Sequence, residues 1–248
     1  MADARPRVRV IQHQDDAPAG HVGDRLVARG WRLELVRADR EPLGDATGAD
    51  ALVVLGSRAS AWDDTVPFLA DELALLREAD AAGVPILGVC FGAQSLARAL
   101  GGEVRPAEEP EIGWVRVTTE EPTLVEPGPW LACHRDVLTP PPGARELART
   151  AAGAQAFVRG PHLGVQFHPE AGPAQIASWA QAYDAELAAL GTDPDDLVAE
   201  TARAQPAARA RAERLVDRWL DWIDQQADDP QADDPRADDR QADDEVPA

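Results

Sequence analysis

Lysine is absent from the 248-residue sequence, and all 24 basic residues are arginine. Without lysine there can be no lysine Schiff base and no G-x-x-x-x-G-K-[ST] phosphate loop. Cysteine is scarce too: Cys90 and Cys133 are too few for a disulfide framework and fit a reducing, cytoplasmic setting. No uninterrupted apolar run approaches the roughly 18 residues that read as a membrane span. The opening Met-Ala-Asp-Ala-Arg-Pro-Arg leads into a strand-like run rather than the apolar core of a signal peptide. Positive charge is also short, with 44 acidic residues giving a net charge of −20. That excludes a general nucleic-acid binder and a protein held electrostatically on anionic lipid. His13, His21 and His162 have no metal-ligand spacing, and His134 beside Cys133 lacks a second Cys/His pair. We therefore expect no metal and no cofactor, and read the three scattered histidines as surface or packing residues.

The acidity is unevenly spread. From Ala227 the triplet Ala-Asp-Asp occurs four times, and this segment holds nine acids and two arginines. Its net charge of −7 leaves −13 for the first 226 residues. With no apolar periodicity, residues 227–248 are expected to be a disordered acidic tail. Residues 1–226 are expected to form one α/β domain, with a helical extension from about residue 183.

Within that domain, Val8–Ile11 reads as a buried strand, Gly20–Gly30 as a helix with Val22, Leu26 and Val27 inward, and Trp31–Val36 as a second strand. Ala51–Leu55 is a continuous apolar run, as in a central strand covered on both faces. Pro67–Ala82 has amphipathic spacing, Pro85–Val89 is another strand, and Phe91–Leu100 another helix. Such alternation predicts a doubly wound, mainly parallel sheet flanked by helices. Beyond Gly102, strands are expected at Ile112–Thr118, Ala154–Arg159 and Leu163–Phe167, the last two as a hairpin. Helices are expected at Pro173–Leu190 and Ala207–Gln226, the latter burying a stripe with Leu215, Trp219 and Trp222.

The chemistry concentrates where a buried strand ends in Gly88-Val89-Cys90-Phe91-Gly92 and a helix begins. This G-x-Cys-x-G spacing has the form of a nucleophile elbow, in which a sharp turn lifts the nucleophile and flanking glycines avoid collision. Cys90 then sits at the carboxyl end of the sheet and at a helix N-terminus, which favours thiolate. The Phe91 N–H follows as a donor to a developing oxyanion. A thiolate nucleophile needs a base with an orienting acid. His168-Pro169-Glu170 supplies both at a strand end, because positions two apart in an extended segment face the same way.

Gly-Val-Cys-Phe-Gly-Ala-Gln (88–94) with Gln-Phe-His-Pro-Glu (166–170) resembles the class I, or triad-type, glutamine amidotransferase family. The likeness runs from Val8 to about Ala182 and is greatest to single-domain members related to the amidotransferase domain of guanosine-monophosphate synthase. It implies a flavodoxin-like fold of that class, glutamine as substrate, and catalytic roles for Cys90, His168 and Glu170. It further implies substrate binding by Gln94 and a second oxyanion N–H at Gly56 or Ser57. The sequence departs from the family where a Gly-Gly-Pro turn becomes Gly56-Ser57-Arg58. A turn needing positive φ would suit Ser57 poorly. Another departure is His134-Arg135-Asp136, where the family has His-Gly-Asp or His-Ser-Asp. Arg98 and the acidic loop Glu108–Glu111 acquire no role.

Three functions are compatible with these residues. One is a glutamine-hydrolysing amidotransferase that supplies ammonia to a separate synthase. A second is a stand-alone cysteine hydrolase of γ-glutamyl amides or peptides, and a third is a non-catalytic binding protein of the same fold. The complete Cys90–His168–Glu170 set favours an enzyme.

Overall fold

The computed structural model describes residues 5–228. Its main sheet has seven strands in the order β2-β1-β3-β4-β9-β8-β7. Strands β1 (Arg7–Gln12), β2 (Arg32–Arg37), β3 (Ala51–Val54), β4 (Ile86–Val89) and β9 (His162–Val165) run parallel. Strands β8 (Ala154–Arg159) and β7 (Arg145–Arg149) continue the sheet antiparallel. The expected doubly wound, mainly parallel sheet is present, and so is the β8–β9 hairpin. Its turn passes through Gly160 at φ +52°, a conformation that favours glycine.

Strand periodicity divides the core into two layers. Val8, Val10, Ala51, Val53, Leu87 and Val89 face one layer, together with Val22 and Leu26 of helix α1 (Gly20–Ala28). Ile11, Leu52, Val54 and Ile86 face the other, under α2 (Leu69–Ala82) and α3 (Phe91–Ala99). Alternate residues of one apolar run thus serve opposite faces, which is why the central strands read as unbroken hydrophobic segments.

The structure corrects several expected boundaries. Val27 faces solvent instead of the core, being 56% exposed. The strand expected from Ile112 is the end of a longer one, β5 (Glu103–Val117), interrupted by an irregularity between Pro106 and Glu111. It pairs antiparallel with β6 (Gly128–Thr139), which the sequence pattern did not reveal, and the two form a separate ribbon. Strand β7 was equally unforeseen. The single helix expected over Pro173–Leu190 is two, α4 (Pro173–Ala182) and α5 (Asp184–Ala189), meeting at Tyr183.

The last helix, α6 (Pro194–Asp228), starts thirteen residues before the expected Ala207 and runs through Pro206. Proline removes one helical hydrogen bond and usually ends a helix, but the 35 residues of α6 bury a stripe on both sides of it. Leu215, Val216, Trp219, Leu220 and Ile223 join the core layer of β1 and α1, as the apolar stripe led us to expect. The greater part of the acidic tail expected at 227–248 lies outside the described residues.

Candidate active site

Fully buried β4 delivers Cys90 directly to the N-terminus of α3. Cys90 has φ +52° and ψ −108°, and it is the one non-glycine with positive φ among the described residues. Holding such a conformation costs about 1–3 kcal/mol and needs a surround that permits nothing else. The flanking glycines provide that surround. A Cβ on Gly88 would stand 2.6 Å from the Gly92 carbonyl oxygen, and one on Gly92 2.1 Å from that of Val54. The Cys90 N–H donates to the Val165 carbonyl of β9 at 2.8 Å. Phe91 opens α3, so its N–H has no partner within the helix and carries the positive end of the dipole.

His168 leaves the carboxyl end of β9, its N–H held by the Leu131 carbonyl at 2.8 Å. Its Nδ1 donates to Glu170 Oε1 at 2.7 Å, and both side chains are buried. The Trp179 ring stands edge-on to the imidazole, 4.7 Å between centroids. Burial pulls the imidazolium down. The Glu170 carboxylate, seconded by Cys90, outweighs it and holds the His168 pKa well above the ordinary histidine range. With Nδ1 committed to Glu170, Nε2 is the nitrogen left for other chemistry.

Gly56 lies over this pair. A Cβ there would approach His168 Cε1 to 3.0 Å and Cys90 Cβ to 3.7 Å, so a side chain would crowd the reactive atoms. The difficulty expected at Ser57 does not arise, since its backbone is not at positive φ. Ser57 and Arg58 line a narrow cleft together with Cys90, Cys133, His168 and Tyr183. A roomier depression between residues 118–121 and 145–149 holds neither cysteine nor histidine.

Gln94 is brought to the same place but is less free than its expected role suggests. Its Nε2 donates to the Asp136 carbonyl at 3.3 Å and to Gln166 Oε1 at 3.1 Å, leaving only its oxygen for a ligand. Gln166, which sequence reasoning did not single out, donates from Nε2 to Cys90 Sγ at 3.6 Å. Its signal was available: it opens the Gln-Phe-His-Pro-Glu segment, two residues before His168. Cys133 offers Cys90 only its carbonyl, 3.8 Å from Sγ, while burial pushes its own thiol pKa far up. Arg98 ties Ala61 and Asp64 to α3, and Glu111 binds Thr150 and Gln155 beside His134. Arg98 and Glu111, without a role in the sequence, thus make structural contacts, and Glu108–Glu111 lies within β5. His13, His21 and His162 are all buried, which decides for packing over surface. Among the described residues, no group of three or more His, Cys, Asp and Glu is placed to hold a metal ion.

A family model described as glutamine amidotransferase class-I matches residues 20–178. The chain belongs to the class I glutamine amidotransferase family. Within the family it is similar to the glutamine-hydrolyzing GMP synthase of Thermus thermophilus, 34% identical over 161 residues. That match covers 59% of this chain and 31% of the relative, so the amidotransferase spans about a third of such proteins' length. One subunit of the glutamine-hydrolyzing GMP synthase from Sulfolobus acidocaldarius is 37% identical over 126 residues, 43% of this chain and 67% of that one. Among solved structures, a glutamine amidotransferase from Methylobacillus flagellatus superposes with a TM-score of 0.81 at 29% identity, covering 88% and 95% of the two chains. One from Thermotoga maritima gives 0.77 at 26% identity, covering 88% and 99%. No described helix of this amidotransferase is long and apolar enough to cross a membrane.

Proposed function

We propose that this chain hydrolyses the side-chain amide of glutamine through a Cys90 thioester and delivers the ammonia to a separate synthase. The observation that carries the reading is the strained Cys90 at the helix N-terminus, under Gly56 and beside the His168–Glu170 pair. Cys90 Sγ attacks the amide carbon, and the oxygen takes up negative charge against the N–H groups of Phe91 and Ser57. His168 Nε2 gives its proton to the departing nitrogen, which leaves as ammonia. Water then adds to the thioester with His168 as base, releasing glutamate and restoring the thiolate. Glu170 keeps Nδ1 occupied and stabilises the imidazolium throughout. Gln94 contributes its side-chain oxygen to the substrate.

Support for a separate acceptor comes from relatives named as one subunit of GMP synthase rather than the whole enzyme. Residues 1–226 form the catalytic unit in this reading, the helices after Tyr183 closing the site rather than making a second domain. The test is ammonia release from glutamine by the purified chain and by Cys90→Ala, with and without candidate synthases. Release that no synthase stimulates would favour the stand-alone γ-glutamyl hydrolase. No release, with no diazoketone glutamine analogue captured on Cys90, would overturn the reading.

A further inference from the structure

Behind the turn that covers Cys90 lies a pair of titratable groups that the chemistry above does not use. His13, just past β1, and Glu72, in the first turn of α2, have fully buried side chains, with Nε2 and Oε2 2.6 Å apart. Burying such a pair is costly and is repaid only when its geometry is fixed by further bonds. One further bond exists: His13 Nδ1 lies 3.2 Å from the Gly56 carbonyl oxygen.

We propose that the His13–Glu72 pair is a positioning device for the oxyanion turn, fixing the Gly56–Ser57 peptide so that the Ser57 N–H faces the cleft over Cys90. The proposal rests on the function given above. A carbonyl can only accept, so Nδ1 carries a hydrogen. The second proton lies between Nε2 and Oε2. With Nε2 turned to Glu72, Nδ1 is the nitrogen that faces the turn.

The peptide geometry does the rest. No described peptide bond is cis, so the Ser57 N–H points opposite to the Gly56 C=O. Gly56 and Ser57 line the cleft with Cys90, whereas His13 does not. Drawing the carbonyl toward His13 therefore turns the N–H to the cleft side. Among the described residues, no acceptor is bonded to that N–H. The same imidazole braces the other donor, since its ring meets that of Phe91 edge-on at 4.9 Å and is tilted against Phe68 at 4.9 Å. One buried side chain thus touches Phe91 and the carbonyl of the Gly56–Ser57 peptide, whose N–H groups would receive the oxyanion. His13 reaches neither substrate nor sulfur and is not itself catalytic.

The test compares two double variants, His13→Phe/Glu72→Leu and His13→Asn/Glu72→Leu, after checking by thermal melting that both fold. Phenylalanine keeps a ring between Phe68 and Phe91 but has no donor, while asparagine places an amide nitrogen near the position of Nδ1. Leucine in place of Glu72 avoids stranding a buried carboxylate. The phenylalanine variant should lose about a hundredfold in kcat for glutamine, the cost of one oxyanion donor, with KM little changed. Alkylation of Cys90 by iodoacetamide should stay within about twofold, because displacing iodide from a methylene builds no oxyanion. The asparagine variant should recover about tenfold of the lost kcat. An unchanged kcat in the folded phenylalanine variant, or alkylation falling in step with kcat, overturns the positioning role. If the unmodified chain releases no ammonia, the function reading fails instead. The crystal structure of the phenylalanine variant then decides: a Gly56 carbonyl turned into the cleft supports the proposal, and an unmoved one overturns it.

Discussion

Nδ1 of His168 and Oε1 of Glu170 are 2.7 Å apart in a pocket that admits almost no solvent, and Trp179 closes one side of the imidazole. Burial alone would keep His168 neutral, so its raised pKa measures how far the carboxylate prevails. Glu170→Gln should remove that advantage and lower the His168 pKa. The alkaline limb of the glutaminase pH profile, where the imidazolium is lost, should then move to lower pH. Because the folded-state value is raised, the pair's stabilisation is complete below the unfolded value of about 6.5 and is lost as pH rises through the folded value. Denaturation at several pH values should therefore show wild type losing more stability than Glu170→Gln on going alkaline. A profile whose alkaline limb does not move would remove Glu170 from this role.

The two cysteines should behave oppositely. Cys90 has the strained elbow, the helix N-terminus and the Gln166 amide, whereas the Cys133 thiol is held protonated by burial. Cys90→Ala should abolish ammonia release and Cys133→Ala should retain most of it. Peptide mapping after exposure to a diazoketone glutamine analogue should find the adduct on Cys90. An adduct on Cys133 would reverse the assignment.

Gly92→Ala should unfold the elbow rather than merely slow it. The added methyl would meet the Val54 carbonyl at 2.1 Å, a backbone atom with no rotamer to yield. A loss of at least about 2 kcal/mol in urea denaturation is expected, in the upper range for single substitutions. A variant as stable as wild type would mean that β3 and α3 can separate locally.

Trp219 is fully buried in the core layer of β1, and its Nε1 donates to the Pro161 carbonyl at 3.4 Å. Trp219→Ala should cost about 3–5 kcal/mol. Trp219→Phe retains most of the apolar contact and should cost far less. Chemical denaturation of both would show whether α6 is part of the core or an appendage.

The parts legible in the sequence are those whose cause is local. The elbow announces itself because the glycines at 88 and 92 are demanded by backbone a few residues away or in the next strand. His168 and Glu170 were legible as a pair from their spacing, although they meet in a turn beyond the end of β9 and not on a strand face. Elsewhere the cause is distant. Strand β6 mixes Pro129, Cys133, His134 and Asp136, and its burial is decided by the ribbon partner and by helices that follow it in the chain. Pro206 reads as a stop, yet α6 continues because apolar contacts on both sides of it outweigh one lost hydrogen bond. His13 and Glu72 stand 59 positions apart, and nothing near either residue signals that the two meet beneath Gly56.

The bond from the Cys90 N–H to the Val165 carbonyl also ties the elbow to a late part of the chain. Strand β9 inserts between β4 and β8, and it emerges from the ribosome some seventy residues after the elbow. Until then the turn lacks the partner that anchors its strained residue, and a chain made from its N-terminus folds with whatever has already emerged. The segment that secures the thiol also carries His168, three residues further on. In the folded chain the strained cysteine is therefore anchored by the same stretch that brings His168 to it, so neither is secured without the other.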